Sequence, residues 1–417
     1  MLGEVLRQAG ANLLRQRMRS ALTMLGIVWG IVAVAVLMAY GSGFRQSLVR
    51  AFYAFGRSVV ISYPGQTSEQ AGGERAGRVV NFETEDRDAV LAEASLVKQV
   101  SLETVRWRPL AYGDRVVNTA VRGVYPEYGA IRNEVASDGR WISPEDFLER
   151  RRVVFLGDRL REKLFGTRPA VGETVRIAGM RFTVIGVMER KLQISNYYTS
   201  DDESAFVPYP AAAQLWDARY AGVLLFSAVS PALEAQAMQQ VRQAIGKRQR
   251  FSPSDPRAIQ MYGREQFRPV IDGITIGLQV LLVFVGALTL GIGGVGVANI
   301  MLVSVDERIR EIGLRRALGA RRRHIRAQFL AEGLVLTLGG GVIGILLAWL
   351  VTAAVGTLPL LGPLFQDESG KGDLHLSLSP FTVLVSTLLL VVVGALAGLV
   401  PAIRASRLDP VEALRYE

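Results

Sequence analysis

Few residues in this 417-residue chain have the types and spacing that support catalysis or metal binding. The chain has no cysteine, and its two histidines, His324 and His375, lie in separate segments. A metal site usually needs several clustered ligands, and a Ser-His-Asp triad needs a histidine beside its nucleophile. The sequence therefore predicts no catalytic residue, no metal site and no thiol chemistry.

Three glycines, Gly291, Gly293 and Gly296, spell the G-x-G-x-x-G pattern of dinucleotide-binding folds. In those folds the pattern follows a strand, and the helix that it opens holds pyrophosphate. Here it lies inside an uncharged run, residues 273–305, so helix packing is the better interpretation. The phosphate-binding loop G-x-x-x-x-G-K-S/T does not occur in the sequence. We expect no cofactor in this chain, and if ATP powers the protein, a partner subunit must bind the ATP and its magnesium.

The most distinctive spacing of charged residues lies in residues 306–328, called here the arginine segment. It holds eight arginines and three acids. Glu307 and Arg310, and likewise Glu311 and Arg315, stand at helical spacing, which favours ion pairs on one helix face. Because glycine often ends or bends helices, we expect a short helix at residues 314–318 between breaks at Gly313 and Gly319. This pattern favours docking of a partner over a basic loop that only fixes membrane topology.

Glu332 stands directly before another long uncharged run. An ionisable residue at membrane depth is a candidate functional residue. Its place near the end of the run favours a structural role, and we expect an ion pair with Arg326 or Arg323 at the membrane interface.

Long uncharged runs must position these residues. Each is long enough to cross a hydrocarbon core about 30 Å thick, which takes roughly 20 helical residues. The runs predict transmembrane helices at residues 20–44, 273–305, 329–356 and 378–403.

The distribution of basic residues predicts the orientation. Residues 1–19, the arginine segment and the tail 404–417 are rich in arginine, whereas the loop 357–377 carries mostly acids. The positive-inside rule therefore places both termini and the arginine segment in the cytoplasm. Residues 1–19 are amphipathic and are expected to form an interfacial helix on membrane lipids. Topology accounts for much of the net charge of +10, so nucleic acid is not an expected partner.

Residues 45–272 remain on the outer side, and the first span acts as their signal anchor. A segment of this length can bury its own core. Strand patterns at 152–156, 174–177 and 181–187, and a helical pattern at 233–246, predict an α+β domain. Stalk helices are expected at both of its ends, through 43–55 and 260–272. Residues 64–77 are expected to form a mobile loop.

Glycine pairs at a spacing of four occur in each predicted span. Small residues let helices approach closely in lipid, so the pairs predict a tightly packed bundle. They are Gly26 and Gly30, Gly273 and Gly277, Gly340 and Gly344, and Gly394 and Gly398.

Several motifs resemble those of MacB/FtsX-type ABC transporter permeases. Residues 307–320 (ERIREIGLRRALGA) and 328–332 (QFLAE) resemble the loop between spans two and three of that family. Residues 401–414 (PAIRASRLDPVEAL) are similar to its C-terminal signature, residues 12–43 to its first span, and residues 138–187 to its external domain.

The resemblance implies a dimer of four-span permeases, with a large α+β periplasmic domain inserted on a helical stalk between the first two spans, in the bacterial inner membrane. Two copies of a separate cytoplasmic ABC ATPase would drive it by mechanotransmission, in which ATP hydrolysis does conformational work in the periplasm, for export of an envelope substrate. The implied ATPase-coupling residues are Glu307, Arg308, Glu311, Ile312, Gly313, Arg315, Ala317, Leu318, Gly319 and Ala320.

Other tasks remain open at this stage. A permease of the same superfamily could extract lipoproteins or regulate a cell-wall hydrolase. A protein of another class, a membrane receptor, would signal through the arginine segment. A homodimer is favoured over a paralogue heterodimer, with a periplasmic adaptor or outer-membrane protein as a further partner.

Overall fold

The computed structural model describes residues 17–54, 58–190, 197–263, 265–360 and 372–415. The interfacial helix predicted for residues 1–19 lies almost wholly outside them. The chain divides into two compact units. The first holds the chain up to Ser47, Gly273–Leu358 and the chain from Leu374 onward, and the second holds Leu48–Asp272 and Pro359–Asp373.

In chain order the elements are α1 (Arg17–Ala54), β1 (Val59–Pro64), α2 (Thr84–Glu93), β2 (Val97–Tyr112), β3 (Arg115–Val124), α3 (Glu127–Arg132), β4 (Ala136–Gly139), α4 (Pro144–Leu148), β5 (Val153–Leu156), α5 (Asp158–Phe165), β6 (Thr174–Ile177), β7 (Met180–Met188), β8 (Ala205–Pro208), α6 (Tyr209–Ala212), β9 (Val223–Ala228), α7 (Glu234–Gln249), β10 (Ile259–Gly263), α8 (Arg268–Glu307), α9 (Ile309–Ala317), α10 (Arg322–Val355), β11 (Thr357–Leu358), β12 (Leu374–His375), α11 (Pro380–Arg407) and α12 (Pro410–Arg415).

In the part of the chain that the structure describes, four helices are long and apolar enough to cross a membrane: α1, α8, α10 and α11. A helix satisfies its own backbone polar groups, which is why uncharged runs of this length become helices in lipid. Mean hydropathy reaches 2.2 to 2.7 in their most apolar windows. The α+β unit is inserted between the first and second of these helices. The predicted fold class is therefore confirmed.

Glycine allows close packing of α1 against two other helices of the first unit. A Cβ added to Gly30 would lie 3.0 Å from the Cα of Leu290 on α8, and one added to Gly26 would lie 3.6 Å from the Cα of Gly293. On α10, a Cβ at Gly340 would lie 3.0 Å from Cγ2 of Ile27. Gly293 thus serves helix packing, as expected for the G-x-G-x-x-G pattern, whereas a Cβ added to Gly291 would meet no described atom within 4 Å.

The glycines of the remaining pairs differ in their surroundings. Gly394 on α11 faces Thr337 of α10 at a distance that leaves no room for a side chain. Gly398 lies against Leu330, whose Cα would be 3.8 Å from an added Cβ. Gly273 and Gly277 on α8 have no described atom within 4 Å of an added Cβ.

The second unit is built on a ten-stranded sheet within the described residues, in the order β10-β1-β9-β2-β3-β8-β5-β7-β4, with β6 paired to β2 and β7. Most neighbours are antiparallel, but β3 with β8 and β5 with β7 are parallel. Alternate residues of a strand point to opposite faces. Val60 of β1 accordingly joins the larger apolar cluster, whereas Val59 and Ile61 join a second cluster on the other face.

One part of the sequence prediction for this unit is wrong. Residues 260–272 were expected to form a continuous helix, but Ile259–Gly263 is a strand that pairs with β1, and α8 begins only at Arg268. The burial pattern has a period of two, with Gln260 and Tyr262 exposed, which is typical of a strand.

The loop expected at residues 64–77 is hydrogen-bonded at several points. The backbone N–H of Gly77 donates to the carbonyl of Thr67 at 2.6 Å, and the N–H and hydroxyl of Ser68 donate to the Asp255 carboxylate at 2.5 and 2.7 Å. The loop therefore folds back on itself and is attached to Asp255.

Candidate functional site

The arginine segment is mostly helical. The long helix α8 ends at Glu307, α9 follows after Arg308, and α10 begins at Arg322. The turn after α9 contains Gly319 with φ +98°, a conformation that glycine adopts at little cost. Gly319 therefore ends the short helix as predicted, but Gly313 lies inside it and is not a break. The helix starts five residues before the predicted 314–318.

The inner face of α9 is packed against neighbouring helices. Ile312 is buried in an apolar cluster that also contains Ile325 and Phe329. Gly313 is buried as well, and a Cβ added to it would lie 2.6 Å from the Cβ of Ala413 on α12. Glycine at this position is required by the close approach of a second helix, not by an unusual backbone angle.

A chain of polar contacts joins α9 to α10. Nη1 of Arg308 lies 3.4 Å from Oε2 of Glu332, and Nε2 of Gln328 donates to Oε1 of Glu332 at 3.3 Å. Gln328 in turn accepts from Nη1 of Arg315 at 2.8 Å, and Arg315 pairs with Glu311 at 2.6 Å. The expected Glu311–Arg315 pair is present, and the polar chain ties the short helix to the start of a spanning helix.

The predicted partner of Glu332 is wrong. Arg326 is exposed and lies six positions before Glu332, so at 3.6 residues per turn it points away from that carboxylate. Arg308, which is distant in sequence, takes its place. The expected helical spacing of Glu307 and Arg310 is also interrupted, because Arg308 with φ −113° separates α8 from α9.

The C-terminal segment holds α9 from another side. Nη1 of Arg316 donates to the backbone carbonyl of Leu408, just before α12. Arg404 on α11 pairs with Asp306 at the end of α8, with 3.1 Å between Nη2 and Oδ1. Helix α9 is therefore fixed by α10 and by the C-terminal segment together.

The outer face of α9 is open to solvent. Leu318 is 80% exposed and Leu314 is 52% exposed, beside the exposed Arg310, Glu311 and Ala317. Exposed leucines on a short basic helix are typical of a surface that a partner covers. The predicted coupling residues do not include Leu314 or Arg310. The spacing of Leu314 and Leu318, four residues apart, could have indicated a shared face.

The predicted coupling residues fall into three groups by burial. Ile312 and Gly313 are buried, and Arg308, Arg315 and Ala320 are half-buried. The exposed members are Glu307, Glu311, Ala317, Leu318 and Gly319.

This architecture defines a class of protein, a multi-pass membrane protein with a large domain inserted after its first span. Residues 20–244 match the MacB-like periplasmic core domain, and residues 283–410 match the FtsX-like permease C-terminal domain. The chain belongs to the MacB/FtsX-type family of ABC transporter permeases, and the resemblance noted in the sequence is confirmed. The inserted α+β unit is its MacB-like periplasmic domain.

Curated relatives extend over nearly all of the chain. It is 31% identical to the macrolide export ATP-binding/permease protein MacB of Bdellovibrio bacteriovorus over 99% of this chain and 62% of that protein. It is also 31% identical to the uncharacterized ABC transporter permease YknZ of Bacillus subtilis, over 99% of both chains. The chain thus spans about three fifths of the length of the MacB relative.

Solved structures of two periplasmic or extracellular domains are also similar. The extracellular domain of the YknZ transporter from Gram-positive bacteria aligns with a TM-score of 0.40 and 18% identity, over 49% of this chain and 99% of that one. The periplasmic region of MacB from Actinobacillus actinomycetemcomitans aligns with a TM-score of 0.40 and 16% identity, over 52% of this chain and 94% of that one.

Proposed function

We propose that this chain is the permease subunit of a MacB-like ABC transporter and that α9 docks into a separate ATPase subunit. ATP hydrolysis in that subunit shifts α9, and the permease converts this movement into conformational work in the periplasm. The observation that carries the proposal is that α9 is packed against the protein on one face and exposed on the other. Its inner face is fixed to α10 and α12, while its outer face exposes Leu314 and Leu318.

The inner contacts supply a route for force. Close-packed interiors have low compressibility and transmit displacement, so a push on α9 reaches the spanning helices. The Arg308–Glu332 pair at the start of α9 and the Gly313–Ala413 contact are two of the points through which α9 can push on its neighbours. Apart from Glu332 near the end of its span, the predicted spans contain no Asp, Glu, Lys or Arg of the kind that lines proton or ion pathways, which favours periplasmic work over carriage through the bilayer.

The proposed orientation places α9 and both termini in the cytoplasm. Arginines cluster in the arginine segment and after α11, and short basic loops remain on the cytoplasmic side. An ATPase can then reach the outer face of α9, with ATP and magnesium bound by that subunit.

The proposed assembly contains two permease chains and two ATPase subunits. The surface of α8 around Gly273 and Gly277 supports a second permease chain, because no described atom lies within 4 Å of a Cβ added to either glycine. Such small-residue surfaces let transmembrane helices from separate chains approach closely. We take the second chain to be a copy of this one.

The proposed task is export of a periplasmic or envelope substrate, with a periplasmic adaptor or outer-membrane protein as a further partner. Lipoprotein extraction and control of a cell-wall hydrolase use the same machinery. Mass spectrometry of proteins that copurify with the full chain distinguishes these tasks, because an efflux adaptor, a lipoprotein or a hydrolase would be enriched.

The docking proposal is tested by changing the outer face of α9. We expect Leu314→Asp with Leu318→Asp to abolish copurification of an ABC ATPase from native membranes, because two charges would be buried in the contact. The matched control is Leu148→Asp on α4, since Leu148 is 77% exposed in the other unit.

The control variant should retain the ATPase at the wild-type level. Equal recovery of the ATPase with the double variant and with wild type would show that α9 is not the docking element. Gly313 is unsuitable for this test, because a side chain there would displace α12 and change the fold locally.

A further inference from the structure

An open groove lies in the α+β unit between α7 and the strand β10. It encloses about 650 Å³ and is bordered by the loop at Pro253–Pro256. Met238 and Arg242 contribute from α7, at positions four residues apart and therefore on one helix face. Met261 contributes from β10 on the face that packs against Met238 of α7, and Gln260 and Tyr262 border the groove from the other face of that strand.

Arg242 is the charged side chain that lines this groove. Its Nε is buried and has no hydrogen-bond partner among the described residues. Burial lowers the pKa of the guanidinium, and attraction to Asp255 opposes that effect only in part. A buried N–H without a partner is costly, so such a group in a native structure points to a missing acceptor.

Three carboxylates lie near the groove in sequence, those of Asp255, Glu234 and Glu265, and each accepts hydrogen bonds from other residues. Asp255 accepts from the N–H and hydroxyl of Ser68. Glu234 accepts from the backbone N–H of Glu265 at 2.9 Å, and Glu265 accepts from Arg268 at 3.0 Å. None of these contacts involves Arg242, so within the described residues the groove presents an arginine whose charge is not neutralised by a direct ion pair.

We propose that this groove binds a carboxylate carried by an extended peptide segment of a partner protein, with Arg242 as the anion-binding residue. The planar guanidinium can donate two parallel hydrogen bonds to a carboxylate. Gln239 and Gln266 also border the groove and can bind backbone or side-chain amides of the same segment. This proposal is independent of the docking of α9.

A peptide is favoured over a free organic acid because of the strand that forms one wall. Strand β10 is the last strand on its side of the sheet and pairs with β1 on its other edge. Its outer edge has no strand partner among the described residues. Extended peptides commonly add to such free edges, where backbone hydrogen bonds supply affinity and a neighbouring side-chain contact supplies specificity.

The test measures binding to the full chain in lipid nanodiscs by fluorescence anisotropy. The probes are two labelled hexapeptide pools of Thr, Val and Ser, capped at both ends and differing only in one central Asp or Asn. We expect the Asp pool to bind about tenfold more tightly, because a charge-assisted bidentate pair is stronger than neutral hydrogen bonds. The variant Arg242→Gln should bind both pools equally, and Arg242→Lys should keep part of the preference.

The matched control is Lys247→Gln, which removes one positive charge from the same helix. Lys247 is exposed and pairs with Glu93 outside the groove, so this variant should keep the full preference for Asp. Equal binding of the two pools by wild type, no binding of either pool, or an unchanged preference in Arg242→Gln would overturn the proposal. If free succinate bound as tightly as the Asp pool, the carboxylate would not need to be carried by a peptide, and the peptide part of the proposal would be overturned.

Discussion

Glu332 illustrates what a single ionisable residue does at the end of a spanning helix. Its side chain is 6% exposed, and that of Arg308 is 20% exposed. Burying a carboxylate is costly unless a cation and hydrogen-bond donors surround it. Here Arg308 and Gln328 supply them, so the pair holds α9 against α10.

Removing this carboxylate should weaken the bundle. We expect Glu332→Ala to cost about 2 kcal/mol, because Arg308 is left half-buried without its counter-charge. Glu332→Gln should cost less, since the amide oxygen still accepts from Arg308. Thermal unfolding of the detergent-solubilised chain measures both effects. The control Arg326→Ala removes an exposed arginine of the same helix and should leave the melting temperature unchanged; an equal loss in this control would contradict the assigned pair.

At the scale of elements, helix packing in the first unit depends on where glycine lies, not on how many glycines occur. A Cβ added to Gly344 on α10 would lie 2.9 Å from the Cβ of Ile31, whereas one added to Gly339 would meet no described atom within 4 Å. Both glycines belong to the same helix and the same apolar run. Of these two glycines, Gly344 is the one that allows α1 to approach.

This contrast gives a prediction for a pair of substitutions. Gly344→Leu should cost about 3 kcal/mol, because overpacking a tight helix contact forces the backbones apart. Gly339→Leu places the same side chain on an open face of the helix and should be tolerated. The melting temperature in detergent distinguishes the two variants. Equal melting temperatures for both would show that α1 does not pack on α10 through Gly344.

The sequence predicts the spanning helices correctly but fails for strand β10 and for the partner of Glu332. The four spans follow from the absence of charge over long runs, which is a property of each segment alone. Gly319 and Gly313 look alike in sequence, but one adopts a positive φ and the other allows contact with Ala413. The partner of Glu332 and the strand β10 depend on contacts between segments distant in sequence. Local patterns carry no information about such contacts, and this is why both predictions failed.

At the scale of the whole molecule, the transport proposal depends on orientation. If α9 faces the cytoplasm, an ATPase can drive it while the MacB-like domain works on the other side of the membrane. The arginine distribution predicts this orientation, because short basic segments stay in the cytoplasm. The absence of cysteine makes the orientation directly measurable, since a single introduced thiol becomes the sole labelling site.

Two exposed leucines provide matched positions for such thiols, Leu318 after α9 and Leu148 on α4, with 80% and 77% exposure. In intact spheroplasts a membrane-impermeant maleimide should label Leu148→Cys fully and leave Leu318→Cys unlabelled. Permeabilising the membrane should then make Leu318→Cys react, which excludes burial as the reason for its protection. The cysteine-free chain should stay unlabelled throughout. Labelling of Leu318→Cys in intact spheroplasts would show that α9 lies outside the cytoplasm, where a cytoplasmic ATPase could not bind it.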